Sequence, residues 1–223
     1  MIDLAQIYNL LLKSNGHQSW WPGESPFEVM IGAILTQNTS WTNVEKAISN
    51  LKSENALSID GISKIKEQKL AQLIKPAGYF NQKTLKLKRF VKFLIDEFDG
   101  NIGKMRKLGL SHLREELLSV NGIGPETADS ILLYALEKPI FVVDAYTARL
   151  ANRLELFFEP PDYHELQEYF MDHIPQDLDL YNDFHAQIVV LGKDTCKKTK
   201  PHCDKCPLCG LCPFPRHSVT EAK

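Results

Sequence analysis

Residues 117–130 read LLSVNGIGPETADS, and this stretch sets how the rest of the chain is parsed. Leu113, Leu117 and Val120 recur at helical spacing and give the residues up to 120 one apolar side, with Ser111 available as a cap. Asn121 and Gly122 are stop signals, and Gly122-Ile123-Gly124 supplies a turn in which glycine allows positive φ or close approach of another backbone. Pro125 then stands where a helix begins, because its missing N–H costs nothing there. Ala128, Ile131, Leu132 and Ala135 form the packing side of that second helix. The stretch therefore reads as a helical hairpin over 111–136. The N–H groups at the start of its second helix offer a seat for phosphate.

Working outward, the same periodicity governs most of the chain. In 84–100, TLKLKRFVKFLIDEFDG, Leu87, Phe90, Val91, Leu94 and Phe98 line one side while Lys86, Arg89 and Lys92 point elsewhere, and Gly100 ends the run. Segments 25–35, 43–51, 64–74, 163–171 and 181–192 read likewise as helices, and Ile2, Leu4, Ile7, Leu10 and Leu11 mark another at the start. Only PIFVVD, 139–144, is strand-like, and one strand makes no sheet. The fold class is all-α. Pro160-Pro161 marks a break before the last two helices, and the tail PFPRHSVTEAK, 213–223, is expected to be loosely ordered.

The 223 residues, 43% hydrophobic and 24% charged, have ordinary globular composition and can bury a full core. No apolar run approaches the roughly 20 residues of a membrane span, so no membrane partner is expected. The first residues resemble a helix face rather than a signal peptide, which predicts a cytoplasmic location. Net charge is −2, with 26 basic and 28 acidic residues, so any nucleic-acid contact must come from local clustering. The five cysteines, Cys196, Cys203, Cys206, Cys209 and Cys212, all fall in one short segment near the end, a poor disulfide framework and a good metal or cluster site. One reading takes Cys196, Cys203, Cys206 and Cys212; another takes the evenly spaced run from Cys203 to Cys212; four thiolates could also hold zinc. Lys197, Lys198 and Lys200, between the first two cysteines, form a local basic cluster of the kind a polyanion needs.

Taken together, the LLSVNGIGPETA hairpin, VVDAYTARL at 142–150 and the terminal cysteines resemble the helix-hairpin-helix (HhH-GPD) DNA glycosylases of the endonuclease III superfamily. ILTQNTSWTNVEKA, 34–47, and AGYFNQKTLKL, 77–87, fit that family in order and spacing. The resemblance runs from about residue 20 to residue 212. It implies a two-lobed fold: a six-helix bundle over 21–134 containing the hairpin, and a second helical lobe of 1–20 plus 135–223. It also implies a [4Fe–4S] cluster on Cys196, Cys203, Cys206 and Cys212 that pins the lysine loop, with Cys209 spare. The expected partner is double-stranded DNA carrying a damaged base, and the protein is expected to act as a monomer.

The resemblance places a catalytic carboxylate at Asp144, although an aspartate before a helix also serves as a cap. Excision builds positive charge on the sugar of a flipped nucleotide, which a fixed carboxylate can stabilise while it orients or deprotonates water. Where strand-cutting relatives keep a lysine that attacks C1′, this chain has Glu126, and a carboxylate forms no imine. A monofunctional glycosylase is expected. Gln37 and Tyr79 match positions that fill the gap left by the flipped base, and Gly122 and Gly124 match the backbone grip. Trp20, Trp21 and Trp41 would sandwich the base, and stacking on tryptophan favours a cationic alkylated purine by roughly 0.5–2 kcal/mol. The WWP, LTQNT and GYFNQK stretches look most like the 3-methyladenine DNA glycosylase III branch, from whose best-known form the cluster cysteines depart. Endonuclease III-like action on oxidised pyrimidines or mismatched thymine, and non-catalytic binding of DNA structure, are the alternatives. His164 and His185 carry no motif.

Overall fold

Side-chain caps set where most of the helices begin. The computed structural model describes residues 2–18, 20–21 and 23–215. Asp3 caps α1 (Leu4–Asn15), and Ser25, followed by proline at the first helical position, caps α2 (Pro26–Leu35). α3 (Trp41–Ser53) follows, then α4 (Ile59–Lys64) on a Ser58 cap and α5 (Glu67–Leu73). The expected single helix over 64–74 is thus two: Ile65 and Lys66 are extended, and Ser58 starts an earlier helix than the apolar spacing suggested. After a 3₁₀ turn at Lys75–Ala77 comes α6 (Phe80–Phe98), which begins four residues before the segment read as helical and ends on Asp99 and Gly100, both at positive φ. The short α7 (Ile102–Arg106), capped by Asn101, had no periodic signal to announce it.

The hairpin forms from α8 (Leu110–Ser119) and α9 (Pro125–Ser130), the latter running on as a π-helical turn over Ile131–Ala135. Ser111 does not cap α8: the helix starts at Leu110 with Gly109 as its cap residue, which puts Ser111 inside the first turn. α10 (Ala145–Arg153), α11 (Tyr163–His173) and α12 (Leu178–Val190) start on Asp144, Asp162 and Asp177, and α12 continues as a π turn over Leu191–Thr195. Among the described residues there is no strand.

The chain divides into two compact units, one of Trp21–Lys138 and one joining Met1–Trp20 to Pro139–Lys223. In the first, α2 is buried almost all round, with Met30, Ile31, Ile34 and Leu35 fully sequestered, and α6 lays Leu87, Phe90, Val91 and Leu94 inward. In the second, Phe141 stacks on Phe170 at 4.5 Å and meets Tyr181 and Phe184 edge-on. The PIFVVD run explains itself there: Ile140 to Val143 are buried in backbone that is neither helix nor strand, and Gln167 Nε2 donates to the Phe141 carbonyl at 2.6 Å. A buried carbonyl must find a donor, and a side chain supplies it where no strand does. No helix among the described residues is long and apolar enough to cross a membrane.

Candidate functional site

In the unit of residues 21–138 the hairpin is locked from several sides. Arg114 on α8 grips Asp129 on α9 with two hydrogen bonds, 2.7 and 3.0 Å, and the Asp129 carboxylate is fully buried. Gly122 has φ +103°, and a Cβ there would lie 2.6 Å from Cγ of Lys86, so glycine is needed both for its conformation and for the close pass of α6. Gly124 is different: it is extended, with open space where a side chain would go. Its carbonyl accepts from the Ala128 N–H, which leaves the peptide groups before Ala128 ahead of the first intrahelical bond. Glu126 is exposed in this first turn, and its neighbours Pro125 and Thr127 carry no amine.

Gln37 reaches the hairpin directly. Its Nε2 donates to the Gly122 carbonyl at 3.2 Å and to the Thr127 hydroxyl at 2.9 Å, while its Oε1 accepts from Lys86. Lys86, which the periodicity simply turned away from the core, is thus half-buried between hairpin and glutamine. Tyr79 is 66% exposed and sits at φ +44°, ψ +33°, a conformation that non-glycine residues rarely adopt. One buried amine ties the two turns: Lys83 Nζ donates to the carbonyls of Leu35 and Ala77, each at 2.8 Å, two residues before Gln37 and Tyr79 respectively. Burial, with the nearby Lys86 charge adding to it, pushes the Lys83 amine down to about 8.

Two of the three expected pocket tryptophans meet in this unit. Trp21 lies edge-on to Trp41, centroids 5.1 Å apart, and packs on Tyr134 at 4.9 Å, all three half-buried. Tyr134 escaped the sequence reading because it sits on the π turn, one residue off the α-helical stripe. Trp20 belongs to the other unit and is half-buried there. Pro22 of the WWP stretch lies outside the described residues.

In that other unit Asp144 is the N-cap of α10. Its Oδ1 accepts from the N–H groups of Tyr146 and Thr147 and from the Thr147 hydroxyl, at 2.8–2.9 Å. Its Oδ2 faces His185 Nε2 on α12 at 3.6 Å, just beyond hydrogen-bond distance. Burial raises the proton affinity of this carboxyl, but His185 and the Thr147 donors outweigh it and hold Asp144 below the usual carboxylate range.

The far end of α10 organises the cysteines. Arg149 donates to the carbonyls of Gly192 and Cys196, both at 2.8 Å. Arg153 donates to Cys196 Sγ at 2.9 Å and to the Lys197 carbonyl at 2.8 Å, and its guanidinium lies 4.3 Å from the Phe214 ring centre. The start of the tail is therefore packed rather than loose, and residues 216–223 lie outside the described residues. Gly192 is obligatory, since a Cβ there would fall 2.3 Å from Tyr146. All five cysteines line one cavity with Arg153; Cys209 is exposed and the other four are half-buried. Among the described residues no group of three or more His, Cys, Asp and Glu side chains could hold a metal ion as placed.

The chemistry of this donor set nevertheless fits a cationic sulfur-ligated group. Burial and the neighbouring thiols push Cys206 up to about 11, and a metal centre would relieve both by taking thiolates. Lys197, Lys198 and Lys200 are exposed on the loop beside them, with Lys200 at φ +52°.

Comparison with known proteins gives this geometry its context. A protein of Methanocaldococcus jannaschii provisionally named a DNA repair glycosylase is 50% identical over 211 residues, 94% of this chain and 95% of its own. Endonuclease III of Thermotoga maritima is 30% identical over 86% of this chain and 84% of its own. The crystal structure of the H. pylori 3-methyladenine DNA glycosylase bound to 1,N6-ethenoadenine superposes with a TM-score of 0.76 at 30% identity, over 85% of this chain and 97% of that one. The sequence pattern of the HhH-GPD superfamily base excision DNA repair proteins matches residues 31–176, which include the hairpin, Asp144 and α10. By pattern, by relatives and by fold, the chain belongs to the HhH-GPD superfamily of base excision DNA repair proteins.

Proposed function

We propose that this protein, a DNA N-glycosylase by family, hydrolyses the N-glycosidic bond of alkylated purines of the 3-methyladenine type in duplex DNA and stops at the abasic site. The observation that carries the chemistry is the state of Asp144: a sheltered carboxylate with one oxygen fixed by three donors and its proton held off by His185. Such a group can face the cation that develops at C1′ as the bond to the base lengthens, and it can orient the incoming water. Glu126 supplies no amine for a Schiff base, which supports the monofunctional reading.

The Trp21–Trp41–Tyr134 cluster supports the choice of base, since a cationic alkylated purine gains from ring faces and, as a good leaving group, needs little acid assistance. Similarity to the 3-methyladenine glycosylase supports it further. The hairpin backbone and the exposed lysines of the cysteine loop serve as phosphate contacts in this reading. Gln37 and Tyr79 serve as the residues that enter the stack; an exposed aromatic held in a strained conformation suits that part. Cys196, Cys203, Cys206 and Cys212 would hold a [4Fe–4S] cluster, which supplies structural order to the loop when bound. The 30% identity to an endonuclease III favours a second reading, with oxidised pyrimidines or mismatched thymine as substrates.

A panel of duplexes decides. Release of methylated adenine from alkylated DNA, with strand scission only after alkali, is expected. Release of dihydrouracil or mismatched thymine with alkylated purines left in place would transfer the assignment to the second reading. Tight duplex binding with no lesion processed would leave a DNA-structure binder.

A further inference from the structure

His185 has no sequence motif, sits 41 positions beyond Asp144 by number, and is 4% exposed. Its Nε2 stands 3.6 Å from Asp144 Oδ2. The carboxylate's other oxygen is fully committed, because Oδ1 takes two N–H groups and a hydroxyl from the first turn of α10. Oδ2 is thus the oxygen left for a sugar cation or a water, and α12 presents it with a single imidazole.

We propose that His185 is the positioning residue of Asp144: it fixes the direction of the reactive oxygen and keeps the carboxylate charged inside a sheltered site. This rests on the reading of Asp144 as the catalytic carboxylate. The cap alone would hold Oδ1 while burial drew the group toward its neutral acid. His185 heads the influences that oppose burial at this carboxyl, ahead of the Thr147 donors. No bond forms or breaks at His185; it acts through Asp144.

The other ionisable groups around α12 have different partners. On α12 itself, Asp183 is held by the Tyr8 hydroxyl of α1 and the Gln18 N–H, with His17 at 3.4 Å. On α10, Arg149 and Arg153 are spent on Gly192, Cys196 and Lys197. On the π turn that follows α12, Lys193 and Asp194 are exposed. Of these ionisable groups, His185 is the one that faces Oδ2 of Asp144.

The test uses single-turnover base release between pH 5 and 9 by full-length wild type, His185→Ala, His185→Gln and Asp144→Asn. The substrate is duplex DNA methylated with dimethyl sulfate, replaced by a dihydrouracil duplex if the wild type leaves the first intact. Thermal unfolding and duplex affinity are recorded for each protein. Expected are an acid limb displaced to higher pH in His185→Ala, and a rate lower by on the order of ten- to a hundred-fold, with duplex affinity unchanged. His185→Gln, which keeps an N–H donor without the imidazole, should recover part of the rate. If Asp144→Asn is inactive while both His185 variants keep the wild-type acid limb, the positioning role is overturned and the reading of Asp144 stands. If Asp144→Asn releases base at the wild-type rate, both fall together. Should His185→Ala fail to fold, the acid limb of His185→Gln decides alone.

Discussion

Replacing Lys83 by methionine tests how the two turns that carry Gln37 and Tyr79 are held. Lys83 is 2% exposed, and its amine serves the carbonyls at the end of α2 and at the end of the following 3₁₀ turn. Burial pushes that amine from 10.5 down to about 8. A drop of that size disfavours the charged form in the fold by about 3 kcal/mol. Methionine removes this cost at neutral pH but also removes two hydrogen bonds from a charged donor, each worth roughly 1.5–3 kcal/mol. The variant should therefore be less stable than wild type at pH 7 by only about 0–3 kcal/mol.

The pH dependence is the sharper readout. Because the folded value lies below the unfolded one, both states carry the proton below pH 8 and the whole cost is present there. Between about pH 8 and 10.5 the unfolded chain keeps the proton while the folded chain sheds it, so wild-type stability gains up to about 3 kcal/mol with rising pH. Methionine cannot follow. The gap in melting temperature between wild type and Lys83→Met should widen by about 6–12 °C over that interval, taking about 2–4 °C per kcal/mol for a chain of this size. Melting curves at half-unit steps from pH 7 to 10.5 check this. Parallel curves for the two proteins would refute the reasoning, because they would mean that Lys83 releases its proton equally easily in both states.

Four further substitutions follow from the same geometry. Glu126→Lys puts an amine on the exposed first turn of α9, and borohydride should then trap a covalent adduct with DNA that wild type does not form; base release without trapping would show that this turn does not approach C1′. Cys206→Ser should lose bound iron and visible colour while Cys209→Ser keeps both, and colour lost on removal of the exposed Cys209 would select the other cysteine set. Gly122→Ala forces a left-handed alanine into Lys86, so stability should fall by about 1 kcal/mol or more and the affinity for undamaged duplex with it; an unchanged affinity would exclude the hairpin from the DNA grip.

What the sequence displays and what it hides follow a physical division. The hairpin is legible because glycine, asparagine and proline announce a turn within a few residues, and Asp144 is legible because an acidic residue ahead of a helical stripe reads as a cap. Groups that act across distance leave no such trace. His185 looks like one more residue on a buried helix until the fold brings it against Asp144, and Arg149 acquires a purpose only when its guanidinium meets carbonyls more than 40 residues later. Lys86 misled differently, because periodicity sorts lysines to the solvent side, and Lys83 drew no reading at all. It takes coordinates to show one amine spent on two turn carbonyls and the other lying along Gly122. The break between α4 and α5 was invisible for a related reason: Lys66, at the start of α5, makes no side-chain cap.

α10 joins these observations into one mechanical argument. Its first turn is built on Asp144, and its last turn delivers Arg153 to Cys196 and Lys197. Between them, nine residues of helix span about 13 Å, and Arg149 fastens the middle to the Gly192 and Cys196 carbonyls. Gly192 lets the π turn after α12 press on Tyr146, two residues from Asp144, while α12 itself brings His185 to the carboxylate. The cysteine loop and the Asp144 carboxylate are therefore held at two ends of a single clamped helix. Disorder in the loop frees the guanidiniums that seat α10, and a carboxylate that must be placed to within a fraction of an ångström moves with the helix that carries it. Under the proposed hydrolysis at C1′, in which no electrons are transferred, that coupling gives the cysteine loop a structural reason to be kept.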